Sequence, residues 1–195
     1  VCRDYHRDFW LYIQTTGLDG IRLPDYNDMR WQMYVGISFG VKNLIHFTYN
    51  TYPDSGWTES MVDAEGKPTS VYDAAQKANL EILALSGDYL KYENLGAYNL
   101  NCRSATKYLQ FDDQYAGIEG LEVSAEAPLL VGCFDKKDGD GYAFTLVNMT
   151  SLAKKSSKGD VVTFTLSGEH TVKLWQKGEA TELTPIDGLY TVTLE

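Results

Sequence analysis

Residues 9–17 read Phe9-Trp10-Leu11-Tyr12-Ile13-Gln14-Thr15-Thr16-Gly17: five apolar or aromatic side chains, then four polar or small ones. Aromatic and β-branched residues suit a pleated, half-buried surface. The run therefore predicts a strand over residues 9–15 that ends abruptly in polar groups. The segments after this strand decide the fold. Residues 18–27, rich in Gly, Pro, Asp and Asn, read as a loop. Asp25, Asn27 or Asp28 is placed to cap a helix, because a short side-chain oxygen can accept a free first-turn N–H. That helix is expected to run to about Phe39, with Gly40 where a helix stops in a left-handed conformation. Residues 43–49, NLIHFTY, read as a second strand.

A long loop from Asn50 to Thr69 contains Pro53, Gly56, Gly66 and Pro68, and loops of this length in a compact domain are usually functional or mobile. Ser70 then opens a second helix, with Asp73 three residues on in the manner of a capping box. Val71, Ala75, Ala78, Ile82 and Leu85 fall on one helical face, which needs a packing partner.

Beyond about Tyr92 the texture changes. The short apolar runs KYLQF, PLLVGCF, YAFTLVN, DVVTFTL, TVKLW and LYTVTL alternate with turn signals such as Ser167-Gly168 and Lys177-Gly178. That pattern predicts an antiparallel sandwich or barrel. The order strand–helix–strand–helix in the first part implies parallel strands with helical crossovers. Two such units alone leave parallel edges unpaired, and a (β/α)8 barrel needs roughly 200 residues or more. The expectation is therefore α/β plus all-β. Residues 1–93 would be the last two βα units of a TIM-type (β/α)8 barrel, and residues 94–195 an antiparallel β-sandwich. The opening VCRDYHRDFW reads like the middle of a sequence, so the chain is expected to be a fragment, with the remainder of its own barrel as a partner.

Of the 195 residues, 44% are hydrophobic and 13% aromatic, which is globular composition. The formal net charge of -10 argues against nucleic acid and anionic membranes and suits neutral ligands. Cys2, Cys102 and Cys133 are widely spaced, odd in number and without a CxxC, so they support neither a disulfide framework nor a zinc site. No run approaches the roughly 18 apolar residues of a membrane span. No metal-ligand cluster or phosphate-binding glycine loop is present in the sequence, and no cofactor or metal is expected. Localisation is left open, a secreted or periplasmic setting being one option.

The run Met29–Tyr49, MRWQMYVGISFGVKNLIHFTY, is similar to the helix-7–strand-8 region of clan A glycoside hydrolases, especially relatives of the family 42 β-galactosidases. Val62–Tyr72, VDAEGKPTSVY, resembles their D-x-x-G-x-P-T-x-x-Y segment, and Asn79-Leu80-Glu81-Ile82 their N-x-E-I habit. Leu129–Phe134 and Asp140–Asn148 look like the small β-domain that follows such barrels, and the resemblance implies that the ending Tyr190–Glu195 stops before the final strand such domains usually have.

The resemblance implies glycoside hydrolysis of a neutral carbohydrate by two carboxyl groups, one protonating the leaving oxygen and one attacking the anomeric carbon. It puts the acid on strand 4, outside this chain, and the nucleophile at the tip of strand 7. If residues 9–15 are strand 7, that tip offers Gln14, Thr15 and Thr16. Gln14 is an amide and cannot be an anionic nucleophile. Three alternatives stay open: an acid from elsewhere, such as the expected missing barrel segment or Asp19 on the following loop; a relative that binds sugar without cleaving it; or a shifted register. Gln14 also has a purely structural reading, an amide satisfying backbone groups.

At the second tip His46 shares a face with Thr48 and Asn50, and Phe47 with Tyr49. His46 reads more readily as a satisfied core histidine than as a catalytic one, whereas Tyr49 is placed to line a pocket. Trp57, in the long loop, could stack on the apolar face of a pyranose or anchor the loop. Tyr52, Asp54 and Glu59 share that loop. The candidate substrate-binding set is thus Gln14, Thr15, His46, Tyr49 and Trp57, with the catalytic residues unknown.

Overall fold

The capping box that opens the first helix is a local decision of the sequence. Asp25 accepts the amides of Asn27 and Asp28, and the Asp28 carboxylate returns to the Asp25 amide at 2.9 Å. In the computed structural model, which describes residues 7–52, 56–102, 117–150 and 160–194, this helix is α1 (Tyr26–Ser38). It follows β1 (Trp10–Gln14) and precedes β2 (Asn43–Phe47). Gly40 takes a φ of +84°, the left-handed value expected where the helix stops. Thr69, one residue before the expected start, caps α2 (Ser70–Tyr89) by accepting the Val71 amide.

β1 and β2 are parallel, with Trp10 opposite Asn43, Tyr12 opposite Ile45 and Gln14 opposite Phe47. Leu11, Ile13 and Leu44 face the helices. They pack with Met29, Met33, Val71, Ala75 and Ala78 in a small core that Met61 joins from the long loop. The face predicted on α2 supplies four of its buried residues, Val71, Ala75, Ala78 and Leu85, with Ile82 half-buried.

The rest is antiparallel. A sheet of order β3-β5-β6 contains β3 (Tyr92–Leu100), β5 (Leu129–Lys136) and β6 (Tyr142–Asn148). A second, of order β10-β7-β4, contains β4 (Glu122–Ala125), β7 (Asp160–Thr165) and β10 (Tyr190–Leu194). β8 (Val172–Gln176) and β9 (Glu179–Leu183) form a separate hairpin, turning at Lys177-Gly178 where both φ angles are positive. One core serves these sheets, centred on Leu129, Val131, Cys133, Val162, Phe164 and Val192.

The expected (β/α)8 architecture is overturned. Among the described residues the fold is mainly β, with ten strands in four small sheets and only two helices. Among them too, the parallel part is a single two-stranded pair, and beyond α2 the chain passes directly into antiparallel β3. This is not a portion of a TIM barrel followed by a sandwich: the antiparallel strands divide into three small sheets. The physical reason for the difference is that a strand–helix–strand–helix pattern specifies how neighbours connect, not how many strands the sheet contains. Three strands, β3, β4 and β9, lie outside the apolar runs read as strands. The expected strand KYLQF (107–111) lies outside the described residues, as does Asp54.

The two parts are joined through α1. Trp31 Nε1 donates to the Asn148 carbonyl at 3.1 Å, Ser38 Oγ meets Thr145 Oγ1 at 2.7 Å, and Asn94 Nδ2 donates to the Ser38 carbonyl at 2.9 Å. The β8–β9 hairpin is tied to α2 by Asp88, which accepts from Lys173 Nζ at 2.7 Å and Trp175 Nε1 at 3.1 Å. Bonds from Lys173 and Lys91 hold the Asp88 carboxyl well below the usual carboxylate range.

Candidate functional site

Alternation along a strand sends successive side chains to opposite faces. On the β1–β2 ribbon one face is covered by the helices. The other carries Trp10, Tyr12 and Gln14 from β1 and Asn43, Ile45 and Phe47 from β2. This second face is open: Trp10 is 60% exposed, Tyr12 64% and Phe47 40%. Each is far above what a buried strand face shows, so the aromatic surface is presented to solvent. Contiguous exposed apolar surface makes this face a candidate interaction site.

The rings are organised. Tyr12 meets Phe47 edge-on with centroids 6.4 Å apart, and Phe47 meets Trp57 edge-on at 5.1 Å. Edge-to-face contacts of this kind add about 0.5–1.5 kcal/mol beyond area burial. Trp57 reaches this face because residues 56–59 run back along residues 17–19. The Asp19 amide donates to Gly56 O, Thr58 N to Gly17 O and Gly17 N to Glu59 O, at 3.0–3.2 Å. The close approach requires a glycine at 17, since a Cβ there would run into Thr58 Oγ1.

The residues singled out from the sequence divide three ways. Gln14 and Trp57 lie with the open face. Gln14 Nε2 donates to Thr16 O at 2.9 Å, and the Gln14 backbone amide donates to Gln32 Oε1 at 2.9 Å, so the side chain is braced at the strand tip. Tyr49 lies beyond the end of β2, 55% exposed, with its carbonyl accepting the Val62 amide. Thr15 and His46 are elsewhere. Thr15 is fully buried and its hydroxyl donates to Thr48 O at 3.1 Å, a bond that holds the two tips together.

His46 sits on the helix-covered face, opposite Ile13, with Nε2 3.0 Å from Asn79 Oδ1 on α2. Its Nδ1 is buried and, among the described residues, has no hydrogen-bond partner. Burial pushes the imidazole pKa down, partly opposed by the Asn79 bond. The alternation of NLIHFTY separates His46 from Phe47, but only the contact with α2 tells which face is covered.

Sequence reasoning missed Trp10, Tyr12 and Phe47. The signal that could have found them is the same alternation: Trp10, Tyr12 and Gln14 stand at i, i+2 and i+4. Of the acids weighed from the sequence, Asp19 and Glu59 are both exposed on the loops, and Ser70 Oγ donates to Glu59 Oε1 at 3.5 Å. Among the described residues, no group of three or more His, Cys, Asp and Glu is placed to hold a metal ion, and no helix is long and apolar enough to cross a membrane.

A buried carboxylate lies between the helices instead. Glu81 on α2 is 4% exposed and accepts from Tyr26 OH at 2.7 Å, Tyr34 OH at 2.9 Å and Arg30 Nε at 2.9 and 3.0 Å. Burial together with the Glu81 charge pushes the Tyr26 phenol up to about 12 and raises Tyr34 further. Both phenols are therefore donors to a carboxylate that is enclosed, not offered to a ligand. A cavity of about 1270 Å³ runs between the helix pair and the antiparallel sheets and touches none of the sequence candidates. Its walls mix core side chains such as Phe134 and Phe164 with charged groups such as Arg30, Asp88 and Lys173.

The open ribbon face thus combines flat aromatic rings with the amides of Gln14 and Asn43, and none of its six side chains is charged. Comparison with family models, with curated proteins and with solved structures finds no match to this chain.

Proposed function

We propose that the protein binds neutral carbohydrate on the open face of the β1–β2 ribbon. The observation that carries this reading is the uncharged aromatic–amide surface on a chain whose net charge is -10. A pyranose presents C–H groups that stack on flat rings and hydroxyls that pair with amides. Tyr and Trp supply such contact area at small entropy cost, because each has only two side-chain torsions. A face without charged side chains also lowers the desolvation cost of a neutral ligand.

Glycoside hydrolysis, which the resemblance implies, makes a further demand: two carboxyl groups about 5–5.5 Å apart across the bond for the retaining mechanism. None of the six side chains on the ribbon face is a carboxylate, so binding without cleavage is put first. Release of 4-nitrophenol from neutral 4-nitrophenyl glycosides would move the proposal to hydrolysis.

The direct test is calorimetric titration with cellotetraose, maltotetraose and β-1,4-galactotetraose. At least one is expected to bind, and Trp57→Ala to weaken it about tenfold, the equivalent of one stacking contact of about 1.4 kcal/mol. Titrations showing no binding of any neutral tetrasaccharide, or the same affinity without the indole, would overturn the assignment.

A further inference from the structure

Beneath the aromatic face lies a chain of hydroxyl groups. Ser60 Oγ donates to Thr16 Oγ1 at 2.8 Å, and Thr48 Oγ1 lies 2.9 Å from Ser60 Oγ. Thr16 and Ser60 are both fully buried. Each end of this chain reaches backbone: Thr16 Oγ1 donates to Glu59 O at 3.2 Å, and Thr48 Oγ1 to Asn50 O at 2.8 Å. The backbone of Ser60 is held as well, its amide donating to Thr51 Oγ1 at 3.0 Å and its carbonyl accepting from Thr69 Oγ1 at 2.5 Å. Ser60 therefore bonds to the tip of β1, to the segment after β2, and to the residue that caps α2.

We infer that Ser60 is the positioning residue for Trp57: it clamps the end of segment 56–60 so that the indole stands against Phe47 before any ligand arrives. The inference rests on the carbohydrate reading of this face and names the device that prepares it. The reasoning is geometric. Trp57 lies three residues before Ser60, in a segment whose attachments include backbone bonds to residues 17–19, the Ser70–Glu59 bond and the hydroxyl contacts through Thr16. The segment has no regular secondary structure of its own between Gly56 and Ser60 beyond the short pairing of Leu18 with Trp57. A loop held in its bound form beforehand loses less freedom on binding, and buried hydroxyl networks fix one arrangement when every member has a partner. A serine at this position contributes neither apolar area nor charge, and its hydroxyl joins two groups that are distant in sequence.

The test separates this role from the sugar reading. The protein is labelled with 5-fluorotryptophan, and the 19F resonance lost in Trp57→Phe identifies Trp57 among the four tryptophans. In Ser60→Ala the Trp57 line is expected to shift or broaden while the lines of Trp31 and Trp175 stay in place, and affinity for the binding tetrasaccharide to fall about tenfold. Thr48→Val, which removes one arm of the relay and keeps the Ser60–Thr16 bond, is expected to move the same line by less, and serves should Ser60→Ala lose its fold. A Trp57 line unmoved in the folded variants overturns the positioning role. A line that moves in a protein whose wild type binds no tetrasaccharide upholds the positioning and overturns the carbohydrate reading.

Discussion

Protonating His46 costs the native state more than the unfolded chain. Nε2 is engaged with Asn79 Oδ1 at 3.0 Å, so the neutral ring carries its proton there and leaves Nδ1 bare. A second proton would place a buried N–H donor where, among the described residues, Nδ1 has no partner. Burial accordingly lowers the pKa from 6.5. The unfolded imidazole binds protons first, so the His46 contribution to stability is complete above pH 6.5 and drains away as pH falls below it. Exposed acids also titrate in acid, so the difference between two proteins is the informative quantity. The melting temperature of wild type is expected to fall more steeply from pH 7 to pH 5 than that of His46→Gln, whose amide can still donate to Asn79. Parallel curves by calorimetry would show that His46 is indifferent to its charge.

At the scale of elements, α1 and α2 are joined by an enclosed ion pair. Glu81 is 3% exposed at its side chain and Arg30 16%, with two phenols completing the carboxylate's partners. Removing one partner of a buried pair costs about 3–5 kcal/mol, because the remaining groups keep their desolvation penalty without the compensating bonds. Glu81→Ala should therefore lower the urea midpoint by that equivalent. Glu81→Gln keeps one acceptor oxygen but turns the other into an amide NH2 facing a phenol and Arg30, so it should still destabilise, by somewhat less than Glu81→Ala. Equal midpoints for wild type and Glu81→Ala would mean that the helix pair is held by its apolar contacts alone.

The helix pair is also where the sequence is most readable, for a physical reason. The Asp25–Asp28 capping box, the left-handed Gly40 and the 71/75/78/82/85 face are decided within a few residues. Glu81 reads from the sequence only as part of the N-x-E-I run, since its partners lie 47 to 55 residues away. The same limit governs the candidate site. Gln14 and Trp57 are legible as residue types, but the contacts that bring Trp57 to Phe47 run through residues 17–19, and nothing local announces them. His46 and Thr15 are legible as strand-tip residues, yet their faces are fixed by α2 and by the pairing of the two tips.

For the whole molecule the decisive question is how firmly the parallel ribbon and its helices are joined to the antiparallel sheets, because the number of strands in each sheet is set by such non-local contacts and not by any pattern in the chain. The answer turns on one close approach. Gly132 of β5 stands so near α1 that a Cβ would lie 2.6 Å from the Ser38 carbonyl, 2.7 Å from Ser38 Cα and 2.6 Å from Thr145 Oγ1. Two of those neighbours are backbone and cannot swing aside. The third is engaged, since Thr145 Oγ1 both meets Ser38 Oγ and accepts the Gly132 amide at 3.1 Å. A methyl group there must push α1 off the sheet, stretching the Ser38–Thr145 and Asn94–Ser38 bonds together. Overpacking of this kind costs about 1–3 kcal/mol, and here the cost falls on the junction. Wild type is therefore expected to unfold in a single calorimetric transition, with calorimetric and van't Hoff enthalpies equal. Gly132→Ala should melt lower and in two resolved steps, the core of Met29, Met33 and Val71 separating from that of Val131 and Phe164. Two steps already present in wild type, or one unshifted step in the variant, would show that the junction carries no stability and that the halves stand independently.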